Sequence, residues 1–211
     1  VGLVICYHPV IFQSIARLNS SENWKARLIV GAIQRGISIF CPHTAADACK
    51  RGVNDWLCQA FSSIERVPVA AIKKSSTSEE EEGAGRILEL AHSICLSEAC
   101  ELLKSHLHVQ NLRIVSGKRA NSIKRIAFCA GSGASLFKEI PQWERIDLFV
   151  TGEAGHHFAL DVLESGSSLV LCEHSTSERG WLRDVLKPEL EQEAGFEILV
   201  SEADQEPIQI V

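Results

Sequence analysis

The chain has 211 residues, 45% of them apolar and 23% charged, with a net charge of −6. That length supports one sizeable core or two small ones in an ordinary globular protein. The acidic balance, unbroken by any basic block, argues against direct binding of nucleic-acid phosphates, and no apolar run approaches the roughly 20 residues of a membrane-spanning helix.

The chain opens inside a strand-like run, "LVICYH" (3–8), so further sequence is expected upstream, and methionine is absent. An amphipathic helix follows over Trp24–Gln34, with Trp24, Leu28 and Ile33 on or near one face. Gly36 ends it, and "ISIFC" (37–41) is the next strand. "VNDWLCQAF" (53–61) reads as a second helix opened by Gly52. "VPVAAI" (67–72) reads as an edge strand, because Pro68 cannot donate to a central ladder.

The sharpest composition shift is "KKSSTSEEEEGAG" (73–85). Its consecutive glutamates between Ser-rich and Gly-rich stretches predict a solvated linker. Residues 75–85 would then separate an N-terminal α/β half, 1–74, from a C-terminal half, 86–211. The glutamates at 79–82 are expected to be mobile and dispensable, since such composition buries too little apolar surface to offset ordering entropy. Beyond lie a helix over about 97–107 and strands at 112–116, 125–130 and 146–151. A helix at 156–164, a strand at 167–174 ending on His174, a polar helix over about 177–194 and a last strand at 196–202 complete the series. Such alternation predicts an α/β fold with largely parallel or mixed sheet and flanking helices.

Eight cysteines are present, none in a C-x-x-C pair. Cys6, Cys41, Cys129 and Cys172 fall in or at the end of apolar strand-like runs, where thiols behave as small hydrophobes. A reducing cytoplasm is expected rather than a disulfide framework.

Four strand ends carry polar residues that strands do not need. They are Tyr7-His8; His43, Thr44 and Asp47; Glu153, His156 and His157; and His174 with Glu178. Neutral imidazole with carboxylate oxygen is the donor set of open Zn²⁺, Mn²⁺ or Fe²⁺ sites. Parallel strands deliver their C-terminal ends to one edge, so repetition of this placement points to a shared site. Each residue also has a structural reading. Asp47 fits a turn before the next helix, His156-His157 a helix start, and Glu178 the S-x-x-E capping box begun by Ser175. The "CAGSGASLF" loop (129–137) offers Gly131, Ser132 and Gly133 as a candidate phosphate cradle at a strand-to-helix turn. It lacks the Lys-Ser/Thr of a P-loop, and a tight turn needs glycine regardless.

Together, "CYHPVIF", "PHTAADACKRGVNDWL", "FCAGSG", "VTGEAGHH" and "LCEHSTSERGWL" resemble the NIF-three-like family (Ngg-interacting factor), in its eukaryotic branch. The resemblance covers nearly the whole chain. It implies an α/β fold of two similar layers, a ring-like homo-oligomer, commonly a hexamer, and two divalent metals. Matched motif to motif, it implies His8, Asp47, His174 and Glu178 as ligands, with His43 lining the site. His43 is then the candidate for proton transfer, because imidazole titrates near working pH. Tyr7 stands where many bacterial members have histidine, which predicts an unequal pair of metal positions. For function, it implies either a metal-dependent hydrolase of a nucleotide-like or phosphorylated small molecule, resembling a GTP cyclohydrolase label, or a protein-interaction role in transcription or metal handling. Protein partners among transcriptional regulators would add the nucleus to the cytoplasm as a location.

Overall fold

A computed structural model describes residues 1–21, 23–65, 70–74, 82–195 and 197–208. The chain forms two compact units, Val1–Ala46 and Asp47–Val211. In the first, β1 (Leu3–Ile5) pairs in parallel with β2 (Ser38–Phe40), and α1 (Trp24–Gln34) provides the crossover between them. Helix α1 starts where the sequence predicts. Asn23 is its cap, the side-chain oxygen accepting from the Ala26 N–H at 2.8 Å, the arrangement that satisfies a free donor of the first turn. Helix α2 (Thr44–Ala48) follows β2.

The second unit, which starts within α2 at Asp47, continues with α3 (Val53–Cys58) and a 3₁₀ turn over Gln59–Phe61. Strands β3 (Lys73–Lys74) and β4 (Gly83–Ala84) pair antiparallel at the two edges of the acidic segment, whose residues 75–81 lie outside the described residues. Residues 67–69 of the expected edge strand at 67–72 also lie outside them; in its described part Ala70 makes an isolated antiparallel bridge to Ile87.

Then come β5 (Arg86–Ile94), α4 (Leu96–Leu107), β6 (Arg113–Val115), β7 (Ile123–Ser132), α5 (Ala134–Phe137), β8 (Leu148–Glu153), α6 (His156–Glu164) and β9 (Ser168–Leu171). Helix α7 (Thr176–Trp181) runs through a π-helical turn, Leu182–Leu186, into α8 (Lys187–Ala194). The strands form one mixed five-stranded sheet in the order β5-β7-β8-β9-β6, with β7, β8 and β9 mutually parallel and the two edge strands antiparallel.

Side chains alternate across the sheet, as the two-residue period requires. Ala127, Phe149, Leu169 and Leu171 meet Phe137, Phe158 and Val162 of α5 and α6 in one apolar cluster. On the other face Phe128 packs edge-on to Phe61 beside α3, with ring centroids 5.6 Å apart. Helices thus flank both faces, and the α/β class expected from the sequence is the one observed.

Three elements differ from expectation. Strand β5 is absent from the sequence reading. Its first residue, Arg86, is buried, held by Asp55 and by the carbonyls of Gly83 at 2.7 Å, Gly85 at 2.8 Å and Cys49 at 3.0 Å; those partners neutralise and saturate a charge no local pattern places inside. The final run is not a strand: residues 197–202 pair with no neighbour in the sheet. Strand β9 stops at Leu171, three residues before His174. No helix of the described residues is long and apolar enough to cross a membrane.

Candidate metal centre

His174 reaches its place through a turn, not a strand. After β9, the buried residue Glu173 adopts φ +62°, the left-handed region uncommon outside glycine. Its carboxylate accepts from Arg113 Nε at 2.6 Å, so the unusual backbone is tied to edge strand β6. Three residues on, α7 begins without a cap from the Ser175 side chain. The Glu178 carboxylate lies 3.3 Å from His174 Nε2. Ser177 stitches the junction: its hydroxyl donates to the His174 carbonyl at 2.7 Å and accepts from the Gly131 N–H at 2.9 Å.

The imidazole sits between two carboxylates. Nδ1 lies 3.0 Å from Glu153 Oε1, and Nε2 faces Glu178 Oε1, whose side chain is only 7% exposed. With Nδ1–H donated to Glu153, Nε2 presents a lone pair to a carboxylate oxygen that is also a lone-pair donor. Two such atoms 3.3 Å apart need a positive charge between them, a proton or a cation. The hydrogen bond to Glu178, opposed by burial and aided by Glu153, raises the imidazole pKa to about 9. This is the donor set, with the carboxylate–histidine brace, of a divalent-metal site. His174 and Glu178 offer ligand atoms within 4.8 Å of one another, so the residues present fit the metal that the resemblance implies.

Glycine makes the room. At Gly131, φ +67°, an added Cβ would stand 2.6 Å from Glu178 Oε1 and 3.1 Å from His174 Nε2. Asp47 lies on α2, its carbonyl accepting from Asn54 Nδ2 at 3.0 Å. Burial, with the negative charges of Asp47 and Glu178 adding to it, pushes the Cys129 thiol up to about 12. Both proposed carboxylate ligands therefore act on one thiol of β7.

The loop Gly131, Ser132 and Gly133 does not stand open as the cradle that the sequence suggests. The Gly131 N–H goes to Ser177 and the Gly133 N–H to Thr151 Oγ1 at 2.9 Å. The helix it opens, α5, has four residues. These glycines serve close packing, since a Cβ on Gly133 would meet Cys129 Cβ at 2.6 Å. His156 and His157 are exposed at the start of α6, their rings 5.9 Å apart.

In the first unit, His8 and His43 leave adjacent strand ends with ring centroids 5.5 Å apart, and buried Tyr7 stacks edge-on to His8 at 5.2 Å. The His43 N–H donates to the Tyr7 carbonyl at 3.2 Å, and His43 holds φ +40°.

A family model described as Duf34/NIF3 (NGG1p interacting factor 3) matches residues 1–207. The chain belongs to the NIF3 family. NGG1-interacting factor 3 of Saccharomyces cerevisiae is 37% identical over 99% of this chain and 74% of its own length. A Clostridium perfringens relative named GTP cyclohydrolase 1 type 2 homolog is 29% identical over 99% of this chain and 78% of its own. The crystal structure of a hypothetical protein of Staphylococcus aureus superposes with a TM-score of 0.80 at 23% identity, covering all of this chain (100%) and 80% of that one. This NIF3-family chain therefore carries the fold as well as the motifs.

Sequence reasoning placed Glu153 in a polar strand end but did not join it to His174. The parallel register supplies the signal: Thr151 pairs with Leu171, so Glu153 and His174 leave adjacent strands two and three residues later. Arg113 and Glu173, which hold the turn, carry no local signal.

Proposed function

We propose that the chain is a divalent-metal protein whose metal is held by His174, Glu178 and Asp47, and that it acts as a hydrolase on a nucleotide-like or phosphorylated small molecule. The observation that carries the metal reading is the His174 Nε2 to Glu178 Oε1 approach of 3.3 Å, with Nδ1 already committed to Glu153. The resemblance adds His8 to the donor set, and on that ground alone His8 belongs to the proposal. Zn²⁺, Mn²⁺ and Fe²⁺ suit this mixture of imidazole and carboxylate, as one or two ions per chain. What such a cation supplies is a bound water of lowered pKa and polarisation of the bond to be cleaved.

The chain's own residues do the rest. Glu153 fixes the tautomer and orientation of His174, Glu178 contributes buried negative charge, and Gly131 keeps the approach free of a side chain. His43 is the proposed proton carrier. The substrate class rests on the name of the Clostridium relative. A hexameric assembly in the cytoplasm belongs to the same proposal.

The name of the yeast relative, NGG1-interacting factor 3, favours a second reading: a non-catalytic partner of transcriptional regulators, in cytoplasm and nucleus. One experiment separates the two. The chain, stripped and reloaded with Mn²⁺, Zn²⁺ or Fe²⁺, is screened against nucleotides and phosphate esters with and without chelator. The hydrolase reading predicts turnover that chelation and Glu178→Gln both abolish. Inert metal-loaded protein that captures a transcriptional regulator at fixed stoichiometry would establish the second reading instead.

A further inference from the structure

Cys6 and Cys41 occupy the first positions beyond β1 and β2. The parallel register pairs Ile5 with Phe40, and the Cys6 N–H continues the ladder to the Phe40 carbonyl at 3.0 Å. The two cysteines are therefore side by side on neighbouring strands. Their Sγ atoms lie 3.3 Å apart, and both are free and partly open to solvent. Neighbouring strands run roughly 4.8 Å apart, inside the roughly 4.4–6.8 Å between Cα atoms that a disulfide spans. The two sulfurs can meet without moving the backbone. Cys6 also approaches the His8 carbonyl at 3.4 Å, and each cysteine stands two residues before a histidine, in Cys6-Tyr7-His8 and Cys41-Pro42-His43.

We propose that Cys6 and Cys41 form a redox-modification site, a dithiol within one chain that a peroxide converts to a disulfide. One sulfur attacks a peroxide oxygen, the O–O bond breaks, and water leaves behind a sulfenic acid. The second sulfur then attacks that sulfenic sulfur; the S–S bond forms, the S–O bond breaks, and the hydroxyl departs as water with the second thiol's proton. Two thiols are oxidised by two electrons in all, and one hydrogen peroxide is reduced to two waters. The new bond ties together the strand ends from which His8 and His43 leave, and closes a loop carrying α1. This inference stands apart from the metal reading and uses none of the second unit.

The test exposes the reduced, chelator-treated chain to excess hydrogen peroxide for hours, alkylates the remaining thiols and maps the peptides by mass spectrometry. The expected result is one dominant cross-linked pair, Cys6 with Cys41, within single chains. Dithiothreitol should restore both thiols, and Cys41→Ser should abolish the cross-link. Recovery of both cysteines as free thiols, as separate sulfinic acids, or in disulfides between chains would overturn the proposal. Should Cys41→Ser fail to fold, the peptide map of the unaltered chain decides alone.

Discussion

Replacing Gly131 by alanine separates the cost of a strained backbone from the loss of a ligand site. Gly131 holds φ +67°, so a Cβ there costs about 1–2 kcal/mol through its clash with the following carbonyl. That is small against the roughly 5–15 kcal/mol that stabilises a typical domain, and the fold should survive. The new methyl carbon would also stand 2.6 Å from Glu178 Oε1 and 3.1 Å from His174 Nε2. Both are the far ends of side chains, so they give way at little expense to the fold but leave their positions as ligands. Disturbing a metal site's supporting contacts typically costs 10–100-fold in affinity, and Gly131→Ala should fall at the upper end, about 100-fold, because it displaces two ligands directly. Gly166→Ala is the control. Its φ of +82° carries the same class of penalty, while its Cβ would meet only Arg119, at 3.4 Å, and Lys118, at 3.8 Å. Melting curves and metal titration on both variants decide. Similar losses of Tm with metal affinity lost only in Gly131→Ala are expected. Full affinity in Gly131→Ala would refute the reasoning.

Three further outcomes follow from the same geometry. Glu153→Gln should leave the melting temperature nearly unchanged yet weaken metal binding about 10–100-fold, because His174 loses the carboxylate that fixes its tautomer; equilibrium dialysis measures it. Tyr7→His should tighten a second metal equivalent that washes off the unaltered chain on dialysis, since a phenol of pKa about 10 is a poor ligand beside imidazole; two equally tight equivalents in the unaltered chain would contradict this. His106 should make stability fall in acid. Burial lowers its pKa from 6.5, partly offset by Asp184 and the Trp56 carbonyl, with His108 adding to the lowering. The unfolded chain therefore binds the extra proton as pH drops. The contribution is whole above pH 6.5 and is lost as pH falls below it towards the folded-state value. In His106→Phe, which keeps a ring against Trp56, the melting temperature should decline less between pH 7 and pH 5 than in the unaltered chain.

Local signals in this sequence carried the elements that local physics decides. The apolar spacing of Trp24, Leu28 and Ile33 placed α1 at Trp24–Gln34, and the apolar runs behind β7, β8 and β9 marked three strands of the sheet. What escaped depends on partners far along the chain. Strand β5 hides because its buried Arg86 is made acceptable by Asp55 on α3. The expected strand at 196–202 has strand composition, yet its described residues, 197–202, pair with no strand of the sheet. At the site, the residue types were legible, as was the meeting of His174 with Glu178. The S-x-x-E pattern, however, suggested a cap by Ser175 that its side chain does not make, while the Glu178 carboxylate lies 3.3 Å from His174 Nε2. Glu153 required the β8–β9 register, which no single strand reveals.

The central claim, that His174 and Glu178 hold a divalent metal, is tested most directly by elemental analysis of purified protein compared with His174→Ala and Glu178→Gln, with circular dichroism as the check on folding. Loss of one ligand from an open site is severe, so bound metal should drop about tenfold or more in both folded variants. Full metal content in folded Glu178→Gln would contradict the account.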